Sequence, residues 1–170
     1  LLLTAFAIVR EREQGTLEQL IVTPVRSWEL MLGKILPFVL VAFLNVAMTV
    51  GVGVVLFGVD VAGSIALLAG LSLIFLLGSL GLGVLISIIS RTQMQAMYMA
   101  SFIMMPSFLL AGLLYPRDNM PWLAYYAGYL LPVTYFLEIV RGIMLKGVGF
   151  MTMWNWVWPM ALFSIVVFTA

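Results

Sequence analysis

The chain has 170 residues, of which 64% are hydrophobic and only 9% are charged, and its mean hydropathy is +1.18. Soluble domains contain about 25% charged residues, so this composition indicates an integral membrane protein. A net charge of +1 without a basic patch gives no basis for a nucleic-acid partner. The sequence has no Cys and no His, which excludes disulfides and removes most zinc sites and general bases.

Residues 1–9 are apolar but too short to cross a bilayer, and no basic region precedes them as in a signal peptide. We expect them to be the last turns of a span that begins upstream, in a fragment of a larger protein. Glu11 and Glu13 follow beside Arg10 and Arg12, and this pattern is typical of a charged surface in a solvated loop.

Residues 10–34 carry eight of the fifteen charged side chains. Thr16 and Gln19 form a capping box, which predicts a helix that begins at Leu17. Pro24 limits this helix to about two turns, too short to be stable without support. Its apolar face would rest on the protein, and its polar face would lie on lipid headgroups or dock on a soluble partner. An acid-bearing, capped helix is poorly suited to an anionic membrane, which favours the partner.

Three apolar runs follow, at 35–59, 64–90 and 94–115, and each is long enough to span a bilayer. In the second run, Ser79, Gly83 and Ser87 form a stripe of small residues, which predicts that another helix approaches closely there.

The first and third runs contain candidate substrate contacts. Asn45, Thr49 and Gly53 recur every four residues in the first run; such a stripe favours helix packing, with a substrate path as the alternative. In the third run one helical face is rich in Met, a side chain that adapts to varied apolar ligands but also fills space between helices. The residues of this face are Met97, Ser101, Met104, Met105 and Phe108.

Residues 122–149 are apolar enough to span, but Pro132 interrupts them, and Glu138 and Arg141 lie in their second half. A single span would carry both charges into hydrocarbon at about 2.5–3.5 kcal/mol each. A re-entrant hairpin with its hinge near Pro132 avoids most of this cost, and the two charges can pair at i, i+3. We therefore predict a re-entrant hairpin here, rich in boundary aromatics such as Tyr135, followed by a last span at 154–170.

The loop charges predict the orientation of the chain. Residues 10–34 and 91–93 together carry five Lys or Arg, and the opposite side carries three. This bias places residues 10–34 and 91–93 in the cytoplasm. The sequence contains no P-loop, since Trp28 stands where the first glycine of G-x-x-x-x-G-K would be. The uninterrupted spans also lack ionisable residues, which argues against a proton-coupled carrier.

Three stretches together resemble the permease subunit of type-2 ABC exporters, most closely the bacterial multidrug-type branch. The stretches are E-R-E-Q-G-T-L-E-Q-L-I-V-T-P-V from Glu11 with E-L-M-L-G-K-I-L-P from Glu29, S-L-G-L-G-V-L-I-S from Ser79 with R-T-Q-M-Q-A-M from Arg91, and L-Y-P-R-D-N-M-P from Leu114 with L-L-P-V-T-Y-F-L-E-I-V-R-G-I-M-L-K-G from Leu130.

The resemblance implies an all-α, polytopic transmembrane bundle with a short cytoplasmic coupling helix and an outer-leaflet re-entrant hairpin. It implies a multi-pass protein of the inner membrane that pairs with a second permease copy and an ABC ATPase, where ATP and Mg²⁺ would bind. The chain itself would need no cofactor and would export a drug-like or lipid-like substrate. The alternatives are a channel or secondary carrier with a regulatory loop, and a membrane-embedded assembly factor.

The candidate site residues fall into three groups. Those implied to contact the ATPase are Gly15, Thr16, Leu17, Glu18, Gln19, Leu20, Thr23 and Pro24. Those of the hairpin are Pro132, Tyr135, Glu138 and Arg141. Those of a possible substrate path are Asn45, Met97, Ser101, Met104 and Met105. No catalytic residue or metal ligand is expected.

Overall fold

A computed structural model describes residues 1–14, 27–59, 61–113 and 117–169. These residues form helices and connections without a β-strand, which confirms the all-α prediction. The α-helices are α1 (Leu2–Glu13), α2 (Ser27–Phe57), α3 (Ile65–Ile89), α4 (Gln93–Leu110), α5 (Trp122–Gly128), α6 (Pro132–Lys146) and α7 (Trp154–Thr169), with short 3-10 helices at Arg117–Asn119 and Phe150–Met153. The predicted helix after Thr16 lies outside the described residues.

Helix α3 is the centre of the bundle and packs against α1, α2, α4, α6 and α7. It is apolar on every side, as a helix surrounded by neighbours and lipid requires. Ser64 caps its start by accepting a hydrogen bond from the Leu67 N–H at 3.3 Å. One hydrophobic cluster joins α3 to α6 and α7, and a second joins it to α1 and α4.

Small residues set the closest helix contacts of α3. A Cβ built on Gly83 would lie 2.7 Å from the Leu1 carbonyl oxygen and 3.0 Å from the Thr4 Cβ. The close approach predicted for the small-residue stripe is therefore confirmed, and α1 is the helix that makes it. On another side, a Cβ on Gly78 would lie 2.5 Å from the Ser164 hydroxyl of α7.

The small and polar stripe of α2 makes no such contact. Asn45 donates to the Val41 carbonyl at 2.9 Å, and Thr49 donates to the Asn45 carbonyl at 2.8 Å. A Cβ on Gly53 would meet nothing within 4 Å. No described helix of this chain therefore packs on the stripe, and its packing on a helix outside the described chain stays a prediction. Its polar side chains are bonded within their own helix, so they can lie exposed on α2 without a partner from another helix.

Helix α1 extends further than expected. We predicted Glu11 and Glu13 in a solvated loop, but both lie in α1, which ends at Glu13. Arg10 and Arg12 fall in its last turn, where cations interact favourably with the helix dipole. The change from apolar to charged residues at Arg10 marks where the apolar surface of α1 ends. The helix itself continues to Glu13.

Within the described residues, three helices are long and apolar enough to cross a membrane: Ile35–Phe57, Ile65–Ile89 and Phe150–Val167. By the same measure of length and composition, the described residues hold a fourth crossing only if α5 and α6 form one broken span, and these two helices meet at 85°. Helix α4 is 18 residues long and begins with two Gln residues in its first turn. It is not among the three, and the predicted span at 94–115 stays a prediction.

The far end of α6 lies beside the α2–α3 connection. The Ala62 N–H donates to the Met144 carbonyl at 3.2 Å, and Gly147 ends α6 in a left-handed conformation with φ of +62°. At its other end α6 lies deep in the bundle, where Phe136 stacks on Phe75 with ring centroids 4.2 Å apart. Phe75 is ten residues into α3, or about 15 Å along its axis. This depth and the bend favour a hairpin that enters and returns over a broken span.

Candidate functional site

An apolar cavity of about 440 Å³ lies between α1, α3, α4 and the start of α6. Ser79 and Ser107 supply the hydroxyl groups of its lining, and none of the described residues that line it is charged. Ser107 donates to the Ile103 carbonyl at 2.7 Å, so its hydrogen-bonding capacity is partly used within α4. The other lining residues are Leu1, Leu2, Leu3, Phe75, Leu76, Leu82, Ile103, Met104, Phe108, Leu113, Pro132 and Val133.

Each wall of the cavity has a clear structural origin. The close contact at Gly83 holds α1 against α3, and the bend between α5 and α6 brings Pro132 to the middle of α3. A volume of this size and an apolar lining are typical of sites for small ligands. The cavity can hold an apolar molecule or an acyl chain by exclusion of water, but it offers few groups that would fix the ligand's orientation.

The residues predicted for a substrate path do not all line the cavity. Met104 is half-buried and lines the cavity, as does Phe108 from the same Met-rich face. Met97, Ser101 and Met105 are exposed on α4, and they are not part of the cavity lining. Asn45 is exposed on α2 and bonded to its own helix. Only Met104 of the five is thus brought to the cavity, and a path along the others stays a prediction.

Glu138 and Arg141 lie on one face of α6, with carboxylate and guanidinium 3.8 Å apart. The side chains are 31% and 42% exposed, respectively. Arg141 also donates to the Gly112 carbonyl at 2.7 Å, just after the end of α4. Gly112 has φ of +83°, a conformation that glycine adopts without strain. Arg141 therefore connects the hairpin to the end of α4, which the sequence alone did not predict.

Arg117 is a functional candidate that sequence reasoning missed. Its side chain is only 9% exposed, and its guanidinium lies 4.7 Å from the Tyr125 ring centroid and 4.4 Å from that of Tyr129. One of its nitrogens donates to the Tyr125 carbonyl at 3.2 Å. Its Nε and Nη1 have no hydrogen-bond partner in the described structure. The two ring faces offset part of the cost of burying this charge.

Tyrosines extend this arrangement toward α7. The Tyr125 and Tyr129 hydroxyls are 2.9 Å apart, and Tyr135 donates to the Tyr129 carbonyl at 2.7 Å. Tyr129 also stacks on Trp156, with centroids 6.2 Å apart. Tyr135, which was predicted as a hairpin residue, thus helps to fix the turn between α5 and α6.

The residues predicted to contact an ATPase, Gly15 to Pro24, lie outside the described residues. The described ranges contain no group of three or more His, Cys, Asp or Glu side chains that could hold a metal ion. The helical fold and its long apolar helices define a multi-pass α-helical membrane protein.

Comparison with known proteins identifies the family. The model of the ABC-2 type transporter family matches residues 1–145. The chain is 35% identical over 160 residues to the probable multidrug ABC transporter permease YbhR of Escherichia coli (strain K12), covering 94% of the chain and 44% of that protein. It is 35% identical over 147 residues to the probable multidrug ABC transporter permease YbhS of the same organism, covering 86% of the chain and 39% of that protein.

A more distant relative is ABC transporter G family member 20 of Dictyostelium discoideum, which is 26% identical over 167 residues, covering 98% of the chain and 23% of that protein. No solved structure matches the chain. The chain belongs to the ABC-2 type transporter family, which confirms the resemblance seen in its motifs. It spans less than half the length of the permeases YbhR and YbhS.

Proposed function

We propose that this chain is the membrane-spanning part of a permease subunit of an ATP-driven exporter in the inner membrane. Two permease subunits would form the translocation path, and ATP with Mg²⁺ would bind to a partner ATPase. Membership of the ABC-2 type transporter family carries this proposal. The names of YbhR and YbhS as probable multidrug permeases support export of a drug-like substrate.

The cavity supports an apolar substrate, either drug-like or lipid-like. Its lining is almost entirely aliphatic, aromatic or thioether, and its volume of about 440 Å³ suits a small organic molecule. Met104 can adapt to ligands of different shape, as a promiscuous site requires. Because the lining carries no charge, the site would discriminate weakly between apolar molecules of similar size.

Helix α1 supplies the mechanical link from the ATPase to the cavity. Its first residues line the cavity, and its last residue, Glu13, lies two positions before Gly15, where the segment predicted to contact the ATPase begins. Its 12 residues span about 18 Å, and it packs on both α3 and α4. A displacement of residues 15–24 by the ATPase would therefore move a wall of the cavity.

Reconstitution of the permease with its ATPase in liposomes tests the proposal. We expect ATP-dependent export of the hydrophobic dye Hoechst 33342. Glu18→Lys should lower export by about tenfold, because it reverses the charge on the polar face predicted to meet the ATPase, a change worth roughly 1–2 kcal/mol in a hydrogen-bonded contact. Dye export and co-purification of the ATPase are the measurements.

The matched control is Arg91→Lys, a change at an exposed residue that keeps the local charge, and it should leave export at the wild-type level. Export that proceeds equally without ATP would indicate a channel or secondary carrier. A complex with no dye export and no associated ATPase would favour an assembly factor. Either result would contradict the proposed function.

A further inference from the structure

We propose that Arg12 and Glu13 are positioning residues that fasten the end of α1 to the α3–α4 turn, so that the segment before the ATPase contact and the start of α4 move as one body. This inference rests on the proposed function. We call the contact the α1–α4 junction and define it by Arg12, Glu13, Ser90 and Gln93. It brings together residues that are 76 to 80 positions apart in the sequence.

Glu13 forms one half of the junction. One of its carboxylate oxygens accepts the backbone N–H of Gln93, the first residue of α4, at 2.9 Å. The other carboxylate oxygen accepts the side-chain amide of the same residue. Both carboxylate oxygens of Glu13 therefore bond to Gln93, which fixes the orientation of the two residues as well as their separation. Hydrogen bonds to a charged group are stronger than those between neutral groups.

Arg12 forms the other half of the junction. Its guanidinium donates to the Ile88 and Ser90 carbonyls, each at 3.4 Å. These carbonyls lie at the end of α3, which stops at Ile89. The last carbonyls of a helix have no partner within the helix. One Arg12 nitrogen, Nη1, is shared between the Ile88 carbonyl and that of Ser90, the residue that follows α3.

The order of the two charges matches the helix ends they meet. The positive Arg12 lies at the negative end of the α3 dipole, and the negative Glu13 lies at the positive end of the α4 dipole. Thr92 caps α4 by accepting from the Gln95 N–H at 3.2 Å, and Gln95 accepts the Arg91 N–H at 2.9 Å. The turn is thus held rigidly in the geometry that Arg12 and Glu13 recognise.

Packing beneath the junction supports movement as one body. Ala5 and Val9 of α1, Ile86 of α3, and Ala96 and Ala100 of α4 form one buried cluster. Alanine side chains allow the helices to approach closely and leave little room for one to slide on another. The α1–α4 junction lies at the end of this cluster that is nearest the predicted ATPase contact. There it prevents α1 from separating from α3 and α4.

The arrangement has a consequence for transport. Helix α4 carries Met104, Ser107 and Phe108 into the cavity, and α1 carries Leu1, Leu2 and Leu3. With the junction intact, a movement of residues 15–24 displaces both walls together. Without it, the ATPase would move α1 alone. Arg12 and Glu13 are themselves exposed, so their removal should weaken coupling with little loss of folded protein.

A reversible cross-link tests the junction, since the chain contains no native Cys. We would introduce Glu13→Cys with Gln93→Cys into the permease, reconstitute it with a cysteine-free ATPase, and measure Hoechst 33342 exported per ATP hydrolysed. With free thiols this ratio should fall by about three- to fivefold, the effect expected for the lost contacts of an exposed carboxylate. After cross-linking with a short bis-thiosulfonate, the ratio should return to the wild-type value.

Two variants control for charge and for location. Arg12→Glu with Glu13→Arg keeps the net charge but opposes both helix dipoles, and it should lower the ratio as well. Arg91→Ala removes an exposed side chain in the same turn, for which no bond is described, and should leave the ratio unchanged. The proposal is overturned if Glu13→Ala keeps the wild-type ratio, or if the cross-linked pair remains as low as the free thiols.

Failure of the proposed function would be recognised separately. A wild-type complex that hydrolyses ATP but exports no dye would contradict the substrate class. The junction would then be tested with an environment-sensitive fluorophore on Phe102→Cys, a position of α4 that is 80% exposed. An ATP-dependent fluorescence change that disappears with Glu13→Ala supports the junction, and a change that persists contradicts it.

Discussion

Arg117 illustrates how much a single residue depends on partners that are not adjacent in the sequence. It lies in a loop sequence between two prolines, where a cation is ordinarily solvated. In the structure Tyr125 and Tyr129 enclose it. The available signal was the spacing of these tyrosines, which places both rings on one face of α5, close after the cation.

Charges in α6 were predicted more successfully. The i, i+3 spacing of Glu138 and Arg141 correctly predicted that they lie on one face and can pair. The bond from Arg141 to Gly112 was not predictable, because it joins residues 29 positions apart. Local spacing thus reports contacts within one helix, whereas contacts between elements depend on how the helices pack.

The double contact of Arg141 makes a prediction about stability. Arg141→Gln should destabilise the chain more than Glu138→Gln, because only Arg141 also holds the end of α4. Since both side chains are partly exposed, we expect a coupling energy between them of roughly 0.5–1 kcal/mol. A double-mutant cycle measured by thermal unfolding in detergent checks both values. Strictly additive effects, or a larger effect of Glu138→Gln, would contradict this assignment.

At the scale of elements, the stripes on α2 and α3 show what a sequence pattern can and cannot establish. Both stripes have small or polar residues every four positions. On α3, Gly83 meets the backbone of α1, whereas on α2, Gly53 meets nothing within 4 Å. The pattern shows that a close approach is possible. Whether a neighbour occupies the stripe depends on the arrangement of the whole bundle, which the pattern does not contain.

The contact at Gly83 predicts the outcome of adding one methyl group. Gly83→Ala should destabilise the chain by about 1–3 kcal/mol, because its Cβ would meet the Leu1 carbonyl and the Thr4 side chain. Gly70→Ala is the matched control on the same helix, where a Cβ meets nothing within 4 Å. It should leave stability unchanged or raise it through better helix propensity. Equal thermal unfolding of the two variants would show that α1 does not pack at Gly83.

At the scale of the whole molecule, the described contacts show which segments lie together at each end of the helix bundle. The α1–α4 junction places the end of α1 beside the α3–α4 turn. The bond between Ala62 and Met144 places the end of α6 beside the α2–α3 connection, at the opposite end of α3. Hydropathy predicted the apolar runs. Hydropathy could not distinguish a span from a hairpin at residues 122–149, because the 85° angle between α5 and α6 cannot be calculated from composition.

These two ends predict which residues share a side of the membrane. Single cysteines at Gln14 and Arg91 should react with a membrane-impermeant maleimide only in inverted vesicles, as the loop charges predict for the cytoplasm. Cysteines at Asn119 and Gly149 should react in spheroplasts, since a hairpin returns to the side it entered. All four positions are exposed. Gly149 is preferable to Gly147, whose φ of +62° would strain any other residue.

The decisive comparison is between Asn119 and Gly149, which flank the hairpin. If residues 122–149 crossed the membrane once, the two cysteines would react from opposite sides. The α6 contacts make this geometry difficult, because a single crossing would have to carry Gly147 away from the Ala62 carbonyl, 3.0 Å from the place its Cβ would occupy. It would also leave Glu138 and Arg141 near the bilayer centre at about 2.5–3.5 kcal/mol each. Labelling of Gly149→Cys in inverted vesicles alone would therefore disprove the hairpin, whereas labelling of both positions in spheroplasts would establish it.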